Sequence, residues 1–513
     1  MSEHMMYERV TLTGTFTTQS EAHFGASFLF SETAFNQGEP LADQTSSVQP
    51  CCKDNHKNPY VPSATIRGWL RDTLMQQPDE QGDLELALVR MFGESRADDE
   101  GRAGLLRVSD AVIPEGKHQT TDIVRRTQVD PLLGVAEEHK LFAVEVVPAH
   151  TEFVWQCELD IVHHHEVEIL LGLLACFDGS SQSSLGRGGS QYWGCLQWRL
   201  ETINIVTHSA LNAWLASDNE PLPEDSSGNS HAELIARSFV PKKRYSLPLC
   251  LRLITPMLIN QQAEKKMGCP PEQSRQAKSK SKHEQPDHVF TQNSDGHLVV
   301  PASSQKGLLR AHSRKILLTL ISDGELPTQA QIDHVEHLLT CLYGGSGQKS
   351  AVWIKAAVSE QTATVHQKMF NAIDRFTGGV ADGRLFSARA GWAKQLFGEI
   401  SVDAKWWQQP EQRWCHGLAL LLLRDAMEGD LRLGWGKNKG FGTFALAMLD
   451  TALYAQDSDT LPSETESGAS TLLTEWSEML VVLQQQFGSQ YIDTVLQALE
   501  DKLVVPTNDK EVS

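Results

Sequence analysis

One phrase is written twice in this chain. The stretch "QVDPLLGVAEEHKLF" begins at Gln128, and "AIDRFTGGVADGRLF" ends at Phe386. Asp130, Gly134 and Phe142 of the first match Asp374, Gly378 and Phe386 of the second, each 244 residues later. Upstream, "PSATIRGWLR" from Pro62 matches "PASSQKGLLR" from Pro301 at an offset of 239. Downstream, "LGRGGSQYWG" from Leu185 matches "LGWGKNKGFG" from Leu433 at an offset of 248. Three blocks in one order at a nearly constant offset are the mark of a tandem duplication. The period has the length of a domain and is far longer than a solenoid repeat. At 513 residues the chain is also long for a single core. Whatever fold one copy takes, the other must take too.

The order of elements inside a copy narrows that fold. "RVTLTGTFTT" from Arg9 alternates like a half-buried strand, and a polar loop follows. "TIRGWLRDTLMQQ" reads as a helix with Thr65 as its N-cap, and "DLELALVRMFG" as a second one closing on Gly93. A strand "AGLLRVSDAVI", the Asp130 hairpin, a strand "TEFVWQCELDIV", an apolar helix "HEVEILLGLLACF", a Gly-rich turn and a last strand "CLQWRLETINIV" complete the copy. The second copy runs in the same order from "SLPLCLRLI" to "TFALAML". Short strands interleaved with two main helices predict an α+β fold of two tandem ferredoxin-like βαββαβ domains with hairpin insertions. The expected boundaries are a first domain over 1–210, an acidic linker over 211–240, a second domain over 241–452 and an acidic, helical C-terminal extension over 453–513.

A net charge of −20 argues against a nucleic-acid partner only if it is spread evenly. It is not. From Thr451 to the end there are eleven acids against two lysines, and between Leu215 and Arg237 five acids against one arginine. Acidic linkers and tails are usually solvated and leave a local basic stripe free to bind. Nine cysteines without a CxxC pair predict a reducing, cytoplasmic setting rather than a disulfide framework. The N-terminus lacks the apolar core of a secretory signal, and no apolar run is long enough to span a bilayer, so no membrane partner is expected. Cys51, Cys52 and His56, and the run His163-His164-His165, lack zinc-finger spacing.

The repeated blocks carry the chemistry. Arg67 and Arg71 stand four apart on one helical face, as do Lys306 and Arg310, and a cation pair at a helix start can hold two phosphates. Arg375, Phe376 and Arg384 surround a Gly-Gly pair in the second hairpin, a mixture suited to single-stranded RNA. Arg125 and Arg126 precede the first hairpin, while Arg187, Lys437 and Lys439 lie in the glycine turns. Glycines there let backbone N–H groups approach phosphates. A dinucleotide fingerprint needs strand, turn, then helix, and here the order is reversed.

The pattern P-x-S-x-x-[RK]-G-x-L-R, then I-D-R-F-T-G-G-V-A-D-G-x-L-F, then a late Gly-rich turn resembles the CRISPR-associated RAMP superfamily, in particular the crRNA-binding backbone subunits of type III effector complexes. Two copies in one chain resemble the fused double-backbone subunits of the type III-D branch. The first copy departs from the pattern at Pro131, at Glu137-Glu138-His139 and at Tyr192, where the turn has lost a glycine. The resemblance implies a ferredoxin-like palm, a hairpin thumb that kinks a guide–target duplex, and as partners crRNA, single-stranded target RNA and other type III effector subunits. It also implies metal-dependent cleavage of target RNA through an Asp in the loop after the first strand. Asp43 in "ADQTSSVQP" and Asp287 in "PDHVF" are the candidates for catalysis and for holding Mg²⁺ or another divalent cation. Two alternatives stand beside this reading: a non-catalytic RNA-binding scaffold, and a guide-processing endoribonuclease using a general acid–base such as His23 or His56.

Overall fold

The alternation of "MYERVTLTGTFTT" decides the first element, a long strand that buries Val10, Leu12 and Phe16 on one face. In a computed structural model the chain divides into two units, Met1–Lys242 and Lys243–Ser513. The structure describes residues 6–26, 30–31, 47–77, 82–94, 101–129, 136–180, 183–216, 236–239, 244–261, 286, 288–293, 295–345, 347–449 and 472–504.

The first unit runs β1 (Met6–Thr18), β2 (Phe30–Ser31), β3 (Ser47–Gln49), α1 (Ser63–Met75), α2 (Asp83–Phe92), β4 (Leu106–Val108), β5 (Asp122–Val129), β6 (Ala136–Val146), β7 (Glu152–His163), α3 (His164–Ala175), β8 (Leu196–Val206) and α4 (His208–Leu215). Its main sheet is antiparallel in the order β4-β7-β1-β8. Numbered along the βαββαβ core, that is strand order 2-3-1-4, the ferredoxin-like arrangement expected from the sequence. Phe16, Trp155 and Phe177 are buried beneath it, with ring centroids 5.1 to 5.3 Å from Phe16. The register of β1 slips between Thr13 and Gly14, where the Trp198 ring and the Arg199 carbonyl leave no room for a Cβ. A second sheet, β2-β3-β6-β5, forms the thumb, with β3 parallel to β6.

Helix α1 turns Ile66, Leu70 and Leu74 into the core at four-residue spacing. Thr65 is not its cap. The helix begins at Ser63, and its first-turn N–H donates to the Asp110 carboxylate, 2.6 Å away. An acceptor 47 residues off in sequence does the work of a local N-cap.

The second unit runs β9 (Arg244–Leu253), β10 (Asn260–Gln261), β11 (His288–Phe290), β12 (His297–Val300), α5 (Ala302–Ser322), α6 (Gln329–Tyr343), β13 (Val352–Thr362), β14 (Thr364–Ile373), β15 (Val380–Trp392), β16 (Gln395–Asp403), α7 (Ala404–Trp407), α8 (Arg413–Met427), β17 (Phe444–Leu449), β18 (Leu472–Leu473), α9 (Trp476–Phe487) and α10 (Tyr491–Leu503). The main sheet, β12-β13-β16-β9-β17-β18, keeps the same inner four strands and adds one at each edge. The thumb sheet β10-β11-β15-β14 repeats that of the first unit, including the parallel pair β11/β15.

The C-terminal helices are part of this unit's core and not an appendage. Met479, Leu483, Val495, Leu499 and Leu503 are buried, and α10 lies so close on α8 that Gly417 has no space for a Cβ beneath the Val495 carbonyl. His416 and the Tyr491 hydroxyl meet at 3.1 Å beside this contact. The first unit has the same notch. Gly172 on α3 faces the Arg237 carbonyl and the Phe239 ring. Residues 236–239 are fastened there by the Arg237 N–H donating to the Glu168 carbonyl at 3.0 Å and by the Arg237 guanidinium on the Asp83 carboxylate. That guanidinium holds the Asp83 carboxyl below its usual range. Among the described residues no helix is long and apolar enough to cross a membrane.

Candidate nucleic-acid interface

In each unit the Gly-rich turn closes against the loop that follows the first strand. The Leu185 N–H donates to the Gly194 carbonyl at 2.9 Å, and the Leu433 N–H to the Gly442 carbonyl at 2.9 Å. Both closing glycines have left-handed φ, 72° and 77°, and both lie against a leucine carbonyl that forbids a Cβ. The Arg187 N–H then donates to the His23 carbonyl at 3.1 Å, and the Trp435 N–H to the Leu258 carbonyl at 2.7 Å. Tyr192, where the first turn departs from the glycine pattern, still adopts a φ of 59°, against 83° for Gly440. The backbone of the turn is preserved although its residues are not.

Strand register carries the equivalence into the thumb. Arg126 pairs with Phe142 as Phe370 pairs with Phe386. Gln49 pairs with Val144 as His288 pairs with Ala388. Three strands and a turn thereby converge at the thumb base, and matched positions carry unlike chemistry. In the first unit the Arg126 guanidinium stacks over the Trp193 ring at 4.0 Å and donates to the Gln191 side chain at 2.7 Å, while Arg187 donates to the Gln49 side chain. In the second, Phe370 and Phe386 stack at 5.4 Å, and Trp435 stands edge-on to both at 5.9 Å. The Lys439 ammonium lies 4.6 Å from the Phe386 and Trp435 rings and 5.1 Å from Phe370. His288 packs on Trp435 at 4.8 Å.

Both junctions hold a polar atom in want of a partner. The Arg126 Nε and the His288 Nδ1 are shielded from solvent and have no hydrogen-bond partner among the described residues. Burial pushes the Arg126 guanidinium down to about 10, Glu21 opposes that shift, and nearby Arg187 adds to it. It remains charged at neutral pH. The Glu21 carboxylate nearby does not fully offset the cost of a shielded cation beside a second cation, and a further anion would lower it. The aromatic residues at these positions escape sequence reading, because the positions come from separate blocks and only strand pairing brings them together.

The basic pairs on α1 and α5 serve the fold instead. Arg67 donates to the Leu106 carbonyl and, at 3.1 Å, to the Phe92 carbonyl at the end of α2. Arg310 donates to the Gly344 carbonyl at 3.2 Å and reaches Glu336 at 3.4 Å, while Lys306 donates to the Ser350 hydroxyl at 2.9 Å. Burial, with Arg310 nearby, lowers the Lys306 ammonium to about 8. Arg67 and Arg310 thereby meet carbonyls at helix C-termini, whose partial negative charge asks for the same donors as a phosphate. Of the four, Arg71 is the exposed one. Arg67→Ala is therefore expected to destabilise the first unit by about 1–3 kcal/mol in urea unfolding, through the carbonyls it strands. Loss of RNA affinity at unchanged stability would restore the phosphate reading.

The second thumb tip is built for contact. Phe376 is 100% exposed and Arg375 is exposed beside it. The Asp374 carboxylate accepts from the N–H groups of Phe376 and Thr377 at 2.8 and 2.9 Å, which fixes the turn and holds that carboxyl below its usual range. The Arg384 side chain and residues 130–135 of the first thumb lie outside the described residues. Arg125 stands on β5 next to Arg126, and Lys437 is exposed in the glycine turn.

Asp43 and Asp287 also lie outside the described residues, but the register of their neighbours bears on them. Gln49 and His288 are matched, 239 residues apart like Pro62 and Pro301. The position before His288, Asp287 in sequence, therefore corresponds to Val48, and Asp43 stands five residues further upstream. The two acids are not repeats of each other. Among the described residues no three His, Cys, Asp or Glu side chains come together as a metal set. Cys51 Sγ lies 3.7 Å from His23 Nδ1, but its thiol is pushed up to about 12 by burial and so protonated.

No curated protein matches the chain. A sequence model of the RAMP superfamily matches residues 15–188 and again residues 250–445. Both matches span a palm, its thumb and its glycine turn or the approach to it, and they tie the protein to CRISPR-related RNA binding. The duplicated fold and the duplicated match lead to one conclusion: this chain belongs to the RAMP superfamily, twice over.

Proposed function

We propose that the protein is a crRNA-binding backbone subunit of a type III CRISPR effector complex that also contacts target RNA and cuts it at one of its two units. The observation that carries the binding is the pair of thumb-base junctions, each offering cations and a shielded polar atom without a partner. Their cations lie outside the acidic stretches of sequence that dominate the net charge of −20. Cleavage rests on Asp287, which precedes His288 in the sequence, while Val48 at the matching position makes the first unit a binding unit alone. A Mg²⁺ ion on one carboxylate, RNA oxygens and water would polarise the phosphate to be cut.

The guide-processing alternative fares worse. It needs an accessible histidine, and of its two candidates His23 is buried, bonded through Nδ1 to the Glu145 carbonyl at 2.7 Å and pushed toward its neutral form by burial, which leaves it only the exposed His56. Titration of the full chain with labelled guide RNA across a salt series tests the binding. Affinity should fall with salt by roughly 0.7 log units per log unit for each phosphate neutralised. An affinity independent of salt, or none at all, overturns the proposal.

A further inference from the structure

The two junctions share a backbone and a matched phenylalanine, Phe142 and Phe386, but differ in the side chains around it. At matched positions the first unit has Arg126, Arg187 and Gln191, and the second has Phe370, Trp435 and Lys439. We propose that the two units divide RNA recognition chemically: the first junction grips a backbone phosphate, and the second stacks an unpaired nucleobase. This deepens the RNA-binding reading above and rests on it.

The first junction is a site for an anion. Arg126 is held rigidly over Trp193 and by Gln191, with its Nε still unpartnered, and the Arg187 guanidinium lies exposed alongside. Two guanidiniums with forked N–H donors match a phosphate in geometry and charge. The Trp193 face is already covered by Arg126 and is 9% exposed, and Phe142 packs into the same small apolar cluster.

The second junction has exchanged that charge for ring surface. Phe370, Phe386 and Trp435 are half-buried and mutually braced, so their orientation is fixed before any ligand arrives. What covers them is the Lys439 ammonium, an exposed group on a flexible stem at 4.6 to 5.1 Å from three rings. A cation–π contact at an exposed site is weak enough to be exchanged. An incoming base can displace the ammonium and stack, and the freed Lys439 can pair with that nucleotide's own phosphate. The shielded Nδ1 of His288, whose ring packs on Trp435 at 4.8 Å, gives the base edge a hydrogen-bonding partner.

The test uses the full chain and a single-stranded RNA in which one abasic nucleotide is moved stepwise through the bound segment. Wild-type protein should lose about tenfold in affinity at one position of the scan. Trp435→Leu, which keeps an apolar side chain of some bulk, should bind intact RNA about tenfold more weakly with an unchanged salt slope, and should no longer sense the abasic position. Arg187→Gln should do the reverse, lowering the salt slope by about one phosphate contact while the abasic position is still sensed. Should Trp435→Leu melt below the wild type, Lys439→Gln, altered at an exposed side chain, gives the second reading: a salt slope lowered by one contact with the abasic penalty retained. A flat abasic scan, or an abasic penalty that survives Trp435→Leu, overturns the division while leaving RNA binding standing. Failure of the wild-type chain to bind any RNA overturns both.

Discussion

Asp287→Ala is expected to lower target cutting by about a hundredfold or more, and Asp43→Ala to leave it at the wild-type rate. A carboxylate that holds a metal or moves a proton at the scissile phosphate contributes on that scale. The duplication alone suggests two cuts one repeat apart. The thumb register argues for one, because the position matching Asp287 is Val48. RNA affinity of Asp287→Ala should stay within about twofold, since a lone carboxylate adds no attraction toward a phosphate backbone. Gel analysis of end-labelled target with and without Mg²⁺ reads both variants. A second cut that disappears in Asp43→Ala would reinstate the symmetrical picture, and wild-type cutting by Asp287→Ala would reduce the protein to a scaffold.

Removing everything after residue 450 should leave the second unit unable to fold. Met479, Leu483, Val495, Leu499 and Leu503 are all buried in its cores. At about 1.5–3 kcal/mol for each buried aliphatic side chain, the loss rivals the whole ~5–15 kcal/mol stability of a domain. The graded version is Leu499→Ala, expected to cost about 2–5 kcal/mol in urea unfolding. A truncated protein that stays soluble and unfolds at the wild-type denaturant midpoint would show the helices to be dispensable.

The duplication, the strand order and both hairpins were legible because backbone geometry constrains their residues directly. Glycines closing a turn and alternation in β1 leave a trace in any sequence with that fold. What a cation or an amphipathic helix meets is a different matter. Arg67 and Arg310 read as phosphate contacts because a helix-end carbonyl and a phosphate ask for the same donor, and nothing local separates them. The helix faces of α9 and α10 were visible in sequence, but the α8 surface that receives them lies some eighty residues earlier. Asp110 capping α1 escaped notice for the same reason. The aromatic box around Lys439 required knowing that β14, β15 and the glycine turn meet, which strand pairing supplies and composition does not.

Gly172 and Gly417 carry a lesson about where the protein can be divided. Each glycine opens a seam on the last palm helix, and each seam is closed by a different piece of chain: residues 236–239 in one unit, α10 in the other. The duplication copied the opening without its closure, so the two halves acquired unrelated patches for the same vulnerable strip. A fragment ending near residue 210, where the composition changes, would leave the first strip bare and apolar and prone to self-association. The smallest self-sufficient first half extends through Phe239, into a stretch whose acidic approach otherwise reads as dispensable tether.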